Sequence, residues 1–514
     1  MIAATVAASA TTLLGCLVQP SDLLSAFAVT VGAFALGLLA AAGPDAAQVA
    51  LLGTGTLIVF AGLPGASAQP VGNATLVLGG GLGQAAILML FHPFSPIAAE
   101  RRAVERVYTG LRRFARSQAE GKRGPLPDVA AHAEARELLR AGIAFDRRPE
   151  LERLWSEIEL ADALRGGLAG LDRAQVEREV WAMLADWLDE ATAEIERGRP
   201  VRRRLPSLPS DSENVWIKRI RRTVEAEERG RLPVVIPHAG TWLAALRNVE
   251  TLRALALGHA LRYALAIGIA TLGYRLLDVH HGYWAPLSLA FSLKADFAST
   301  VTRGLGRTLG TAAGVLVATL LVLLHPSNGF LTGAMLVGAW LSFALQNASF
   351  MGYSAGLAFY VVTSVVLSGA SVATVGLERM GATFVGAAMA LVAALVWPQW
   401  EASKARTSLA VAFAAQAEYA TAVTEERSPE AMAGARLQAR YARLEAERVI
   451  AAAGFEPRWS RGRSLEGAEA ALARLAENAA RILAAHVAAL DGESDDDLRR
   501  LAAEDRSMAA DLMG

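Results

Sequence analysis

The feature that most constrains this chain is where its positive charge is missing. Residues 1 to 99 contain no Lys or Arg, and their only acids are Asp22 and Asp45. Of the 50 basic residues, 29 lie between Arg101 and Arg253 and 15 between Lys404 and Arg506. Only Arg262, Arg275, Lys294, Arg303, Arg307 and Arg379 fall between these clusters. The order is therefore apolar block, charged block, apolar block, charged block. Stretches this long and this poor in charge cannot form a solvated surface, so lipid must cover them. Composition agrees: 53% of the 514 residues are hydrophobic and 19% charged, which departs from a soluble globular domain in both directions. Disorder, a collagen-like chain and a disulfide scaffold are excluded. The single cysteine, Cys16, lies in an apolar run and can make neither an intrachain disulfide nor a cysteine-based zinc site. No basic segment precedes the first apolar run, which argues against a cleaved signal peptide.

A membrane span needs about 20 mostly apolar residues. The first block offers four, at Ile2 to Val18, Leu23 to Ala42, Ala46 to Leu63 and Gly72 to Phe91, broken by polar, proline-bearing turns. The second offers six: about Leu255 to Leu277, Tyr283 to Leu293, Leu305 to Leu324, Phe330 to Leu345, Met351 to Leu367 and Met380 to Val396. The second of these is short enough to be a half-span. Lys and Arg beside span ends favour the cytoplasm. Arg101, Arg102 and Arg106 follow the fourth span, Arg247 and Arg253 precede the fifth, and Lys404 and Arg406 follow the tenth. Both span counts are even, so the N-terminus, both charged regions and the Lys294 to Arg307 turn all fall on the cytoplasmic side. The expected fold is thus all-α: a polytopic helical membrane protein with two repeated membrane blocks of about four and six spans, each followed by a helical cytoplasmic domain. The boundaries run 1–96, 97–252, 253–399 and 400–514.

An internal repeat underlies this layout. At a constant offset of 306, Thr5 meets Thr311, Ala7 meets Ala313, Leu17 meets Leu323, Pro20-Ser21 meets Pro326-Ser327 and Gly32-Ala33 meets Gly338-Ala339. One residue of slip then pairs Gly81 with Gly386 and Pro93 with Pro398, and Phe145-Asp146 falls against Phe455-Glu456. Met1 aligns with Arg307, so the first block lacks counterparts of the first two spans of the second. The expectation is a shortened first half.

The densest chemistry lies from His281 to Gly314, HGYWAPLSLAFSLKADFASTVTRGLGRTLGTAAG. Tyr283-Trp284 form an aromatic pair at the predicted outer interface. Asp296, Thr300, Arg303 and Arg307 fall within about 60° of one another on a helix of 100° per residue. Charges inside a span are costly and usually face a bundle interior or water. Gly306, Gly310 and Gly314 form a small-residue ladder that lets another helix approach closely, with Ala4 and Ala8 at the matching places of the first repeat. This stretch resembles the fusaric acid resistance protein-like family, which includes the aromatic acid exporters. The shared pattern is Tyr283-Trp284, Lys294-Ala295-Asp296, Thr300, Arg303, Arg307 and Gly310-Thr311, with Ala295 where the family commonly has Pro. The resemblance implies two membrane blocks with helical cytoplasmic domains. It also implies proton-motive-force-driven efflux of aromatic or other weak organic acids across a bacterial inner membrane.

The candidate substrate-binding residues are Arg303, Arg307, Lys294, Thr300, Tyr283 and Trp284, because a guanidinium fork matches carboxylate geometry. Each has a plainer reading, as an inside-positive anchor, a polar turn or an interface aromatic. Asp296 is the candidate for proton coupling, the other nearby acids, Asp278 and Glu378, lying at predicted outer ends. His280 and His281 share that outer edge, but a metal would need ligands the sequence does not place; neither metal nor cofactor is expected. Gln346 and Asn347 read as a loop. The soluble regions are helical by pattern, as in Trp181, Leu184, Trp187 and Leu188. The clusters Arg202-Arg203-Arg204, Lys218-Arg219 and Arg221-Arg222 suit anionic lipid headgroups better than nucleic acid. With no phosphate-cradling loop, nucleophile elbow or zinc-protease motif, an enzyme is not expected. Expected partners are the lipid bilayer, a small organic anion, a second copy of the chain and a periplasmic adaptor, and no nucleic acid. An anion channel of the same architecture and a non-transporting membrane scaffold remain the alternatives.

Overall fold

The computed structural model describes residues 2–91, 97–122, 129–145, 149–173, 176–201, 205, 215–228, 249–346, 349–425, 427–461, 465–490 and 496–513. The Arg202-Arg203-Arg204 cluster, Pro93, Asp146, Arg247 and Asn347 lie outside them. Contacts divide the chain into two units. One joins Met1–Phe94 to Gly240–Gln399, and the other joins Ser95–Ala239 to Trp400–Gly514. Every long element among the described residues is helical.

The first unit contains ten helices where ten apolar runs were drawn: α1 Ile2–Val18, α2 Asp22–Ala40, α3 Pro44–Gly62, α4 Pro70–Phe91, then, after the other unit's α5–α9, α10 Val249–Leu276, α11 Trp284–Ser292, α12 Phe297–Leu323, α13 Asn328–Leu345, α14 Phe350–Leu367 and α15 Val372–Val396. Among the described residues α2, α12, α13, α14 and α15 are long and apolar enough to cross a membrane, and Ile2–Val18 and Ala46–Gly62 are shorter apolar helices. Leu23, Phe27, Leu76, Leu316, Phe330 and Trp340 are all exposed, which in water would be an aggregation liability and in lipid is the expected covering. The protein is an all-α polytopic membrane protein. Serine caps recur where the repeat pairs them: Ser21 accepts from the Leu24 N–H and Ser327 from the Phe330 N–H. A shift of 306 carries α2 onto 328–346 and α3 onto 350–368, within a residue of α13 and α14.

Several boundaries differ from the sequence expectation: α10 begins at Val249 rather than Leu255 and α12 at Phe297 rather than Leu305, and two further differences bear on the site. The run at Tyr283 to Leu293 yields only the nine residues of α11. At about 1.5 Å per residue it is about 13 Å long, far short of the ~30 Å hydrocarbon core. It is a half-span, closed at its C-terminus by the Leu293 N–H bonding to Leu289. The last span is expected from Met380; α15 begins instead at Val372, so Glu378 and Arg379 both lie on the helix. Hydropathy ends a span at a charge, whereas backbone hydrogen bonding does not.

The second unit packs α5 Ala98–Ala119 against α6 Val129–Phe145, α7 Pro149–Arg173 and α8 Arg178–Glu196, with α9 Val215–Glu228 on α7. After the last membrane helix, α16 Ala405–Thr424 packs in the same way on α17 Pro429–Ala453, α18 Ala468–Leu490 and α19 Asp496–Met513. Tyr108, Leu111, Trp155 and Leu184 centre the first core, and Leu409, Phe413, Val449 and Leu475 part of the second. A buried ion network ties α7 to α17. Glu159 accepts from Arg440, Asp162 from Arg443, and Arg165 reaches Glu447 at 3.1 Å. Burial pushes the Asp162 carboxyl up, but Arg443, Arg136 and His132 outweigh it and hold the group well below the usual carboxylate range.

Candidate anion-binding site

The six basic residues between Arg253 and Lys404 separate once their partners are known. Arg262 is 3% exposed and consumed by backbone: it donates to the carbonyls of Lys294 at 2.7 Å, Ala295 at 2.9 Å and Trp397 at 2.8 Å. It fastens the turn after α11 to the end of α15. Arg275 likewise donates to Gln19 O at 3.1 Å, to Asp22 at 2.6 Å and to Ala61 O. Lys294 and Arg303 are half-buried, and Arg303 stands over the Phe350 ring at 4.9 Å.

Arg307 and Arg379 are different. They are 1% and 2% exposed, and among the described residues neither has a carboxylate partner or a hydrogen bond. Nε and one Nη of Arg307 and Nε of Arg379 are buried without a partner. Each guanidinium instead lies on an aromatic face, Arg307 on Phe291 at 4.8 Å and Arg379 on Trp284 at 5.0 Å. The two are within electrostatic reach of each other and of Tyr353, and Arg379 also of Tyr283. Arg307 sits about 15 Å along α12 and Arg379 about 10 Å along α15, so neither is an end-of-helix anchor. A buried unpaired charge costs several kcal/mol, and a desolvated cation–π contact returns only about 2. The deficit is what an anion bridging both groups would offset.

The backbone that makes this possible is glycine-dependent. A Cβ on Gly310 would meet Met351 O and Ser354 of α14, one on Gly314 would meet Ala355 O, and one on Gly386 of α15 would meet Ala285 O of α11. These close approaches bring α11, α12, α14 and α15 together around the arginines. Gly306 behaves otherwise, since its nearest neighbour is the Phe350 ring at 3.4 Å. Ser288 and Thr383 meet at 3.5 Å between α11 and α15, and the buried hydroxyls of Ser292 and Ser354 have no partner. A half-helix inside the bundle is also where transporters commonly bind ions and substrates.

The other sequence candidates fall into place around this centre. Trp284 and Tyr283 are 3% and 7% exposed, so they are interior side chains; Trp284 meets the Arg379 guanidinium at 5.0 Å and the His281 ring, which stacks on it at 4.6 Å. Thr300 is buried and donates to Asp296 O at 2.9 Å. The Asp296 side chain caps α12 by accepting from the Ser299 N–H at 2.7 Å. Two residues were missed as site members. Arg379 was hidden by the span boundary drawn at Met380, although it is one of only six bases in the block. Glu378 reaches His280 and His281, a proximity that sequence separations of 98 and 97 conceal. A groove of about 730 Å³ lined by Val317, Phe330, Val337, Leu341 and Phe359 carries no charged side chain.

The fold and this centre together define a polytopic membrane protein with a cationic, aromatic-walled site inside its second helical block. Residues 265–393 match the family model described as fusaric acid resistance protein-like. The chain is similar to the inner membrane protein YccS of Escherichia coli, 27% identical over 194 residues, which is 37% of this chain and 27% of that protein. It is also similar to an uncharacterized protein, ORF2, of Neisseria gonorrhoeae, 26% identical over 186 residues, 36% of this chain and 44% of that one. A third relative is the uncharacterized protein slr1298 of Synechocystis, 30% identical over 154 residues, 29% of this chain and 20% of that one. The chain thus spans less than half the length of each relative it matches. No solved structure matches it.

Proposed function

We propose that the second membrane block carries weak organic anions, aromatic carboxylates above all, outward across a bacterial inner membrane, driven by the proton-motive force. One observation supports this reading most: Arg307 and Arg379 are buried within electrostatic reach of each other with no carboxylate partner among the described residues, each laid on an aromatic ring. A carboxylate would accept from both forks, and its ring would meet Trp284, Phe291 or Tyr353. The match to that family model supports transport as the class of activity, and the basic flanks favour cytoplasmic termini. Arg303 and Lys294, half-buried on the turn side of Arg307, would attract the anion before it reaches the buried pair. Asp296 is the proposed proton carrier.

Inside-out vesicles given radiolabelled benzoate in the outside medium test the assignment. Uptake should require a proton gradient and fall at least tenfold in R307Q and in R379Q. Wild-type flux in the double variant at equal membrane levels would overturn it. Flux that survives an uncoupler but needs both arginines would instead favour a channel.

A further inference from the structure

The turn between α10 and α11 holds a second cluster, separate from the guanidinium pair. His280 Nδ1 lies 3.2 Å from Glu378 Oε1 and His281 Nδ1 lies 2.8 Å from Glu378 Oε2. One ligand atom from each of the three residues falls within 4.8 Å of the other two. The turn is built to hold the imidazoles there. Asp278 and His281 both adopt left-handed backbone, with φ of 48° and 51°, a conformation that costs a non-glycine residue of order 1 kcal/mol or more and persists where its surroundings enforce it. His281 is further locked by stacking on Trp284, with an interplanar angle of 6°. Glu378 precedes Arg379 on α15, and consecutive helical side chains diverge by about 100°; one therefore reaches the histidine turn while the other lies on Trp284. His280 is 73% exposed at the side chain, whereas His281 and Glu378 are 18% and 25% exposed, so the cluster opens to water on one side.

We propose that His280, His281 and Glu378 form a binding site for a divalent transition-metal ion of the zinc class. Two imidazole nitrogens and one carboxylate oxygen, with one side left open to water, are the donor set of a three-ligand zinc site. Ligand atoms around tetrahedral zinc stand roughly 3.4 Å apart for bonds of about 2.1 Å, close to the two His–Glu separations here. Side-chain rotation is enough to bring all three atoms around one ion. Two imidazoles and one carboxylate carry a formal charge of −1 when the histidines are neutral, which suits a dication and gives calcium or magnesium, which prefer all-oxygen shells, no advantage.

The test uses the full-length protein in nanodiscs, stripped of metal with a chelator, and is independent of transport. Titration calorimetry with Zn²⁺ should find one site per chain, and Co²⁺ should give visible absorption bands of tetrahedral nitrogen and oxygen coordination. H281Q and E378Q should each weaken Zn²⁺ binding at least tenfold and abolish the Co²⁺ bands, while D278N leaves both unchanged. Because His280 is largely exposed, H280Q serves as the variant that leaves packing intact, and it should weaken binding as well. Absence of stoichiometric binding in the wild type, or wild-type affinity in H280Q and E378Q, would overturn the site.

Discussion

At the scale of single residues, a buried charge without a partner is a stability cost that only a ligand can offset. Arg307→Met keeps the volume and removes the charge, so the variant should unfold at least about 1 kcal/mol later than the wild type while losing anion uptake. Thermal denaturation in detergent with and without benzoate checks this. The wild type should gain stability with ligand, about 2.7 kcal/mol at a hundredfold excess over the dissociation constant, and Arg307→Met should gain none. Asp505 in the second unit offers a titration with a defined sign. Burial pushes its carboxyl up to about 6, more than the amides of Gln416 and Asn478, at 3.0 and 2.6 Å, pull it down. Between the unfolded value of 3.8 and about 6 the folded state holds more protons, so this group stabilises the unit at low pH and its contribution falls as pH rises through that window. Asp505→Asn should therefore melt above the wild type at pH 7.5, with the gap closing toward pH 4. A gap independent of pH would contradict the assignment.

At the scale of elements, substitutions at the cap and along the glycine face of α12 separate capping and packing from chemistry. Asn caps a helix about as well as Asp, whereas Ala costs ~1 kcal/mol. Asp296→Asn should keep wild-type stability and Asp296→Ala should not; if Asp296 also carries the proton, both variants lose gradient-driven flux. The glycine ladder divides similarly. Gly310→Ala and Gly314→Ala press a methyl into the backbone of α14 and should each cost about 1–3 kcal/mol, read as a lower melting temperature, while Gly306→Ala should be near neutral. Helix positions were legible in the sequence because lipid demands long uncharged runs, and α1 to α4 and α10 to α15 fall where those runs were drawn. The approach of α12 was legible too, since glycines spaced by four share a face. What hydropathy obscured was the charge inside a span: with the boundary at Met380, Arg379 falls outside the helix that carries it. The aromatic pair misled for a related reason. Composition places Tyr and Trp at interfaces on average, but Trp284 contacts both a guanidinium and an imidazole, and only packing reveals that.

At the scale of the molecule, the second unit joins two stretches separated by the whole second membrane block, and its cohesion rests partly on ions rather than on oil. Both stretches use one scheme, a first helix packed on the three that follow, and their third helices, α7 and α18, meet. The ion network crosses between the stretches. Glu159 is 2% exposed and accepts from Arg440, with Arg436 at 3.6 Å; Asp162 accepts from Arg443, with Arg136 at 3.5 Å. Buried pairs of this kind add little net stability over apolar side chains of equal volume, yet cost 3–5 kcal/mol when one partner is removed. Glu159→Leu should therefore destabilise the unit by about 3–5 kcal/mol, because several guanidinium groups are left facing one another in a dry interior. Glu159→Leu combined with Arg440→Met should recover most of that loss, since the charge imbalance disappears and the space stays filled. Chemical denaturation followed by the fluorescence of Trp155, which packs in the same core, measures both variants. Additive losses would mean that the two residues act independently and that apolar packing alone joins the stretches, whereas recovery in the pair shows coupling across a sequence separation of 281 residues.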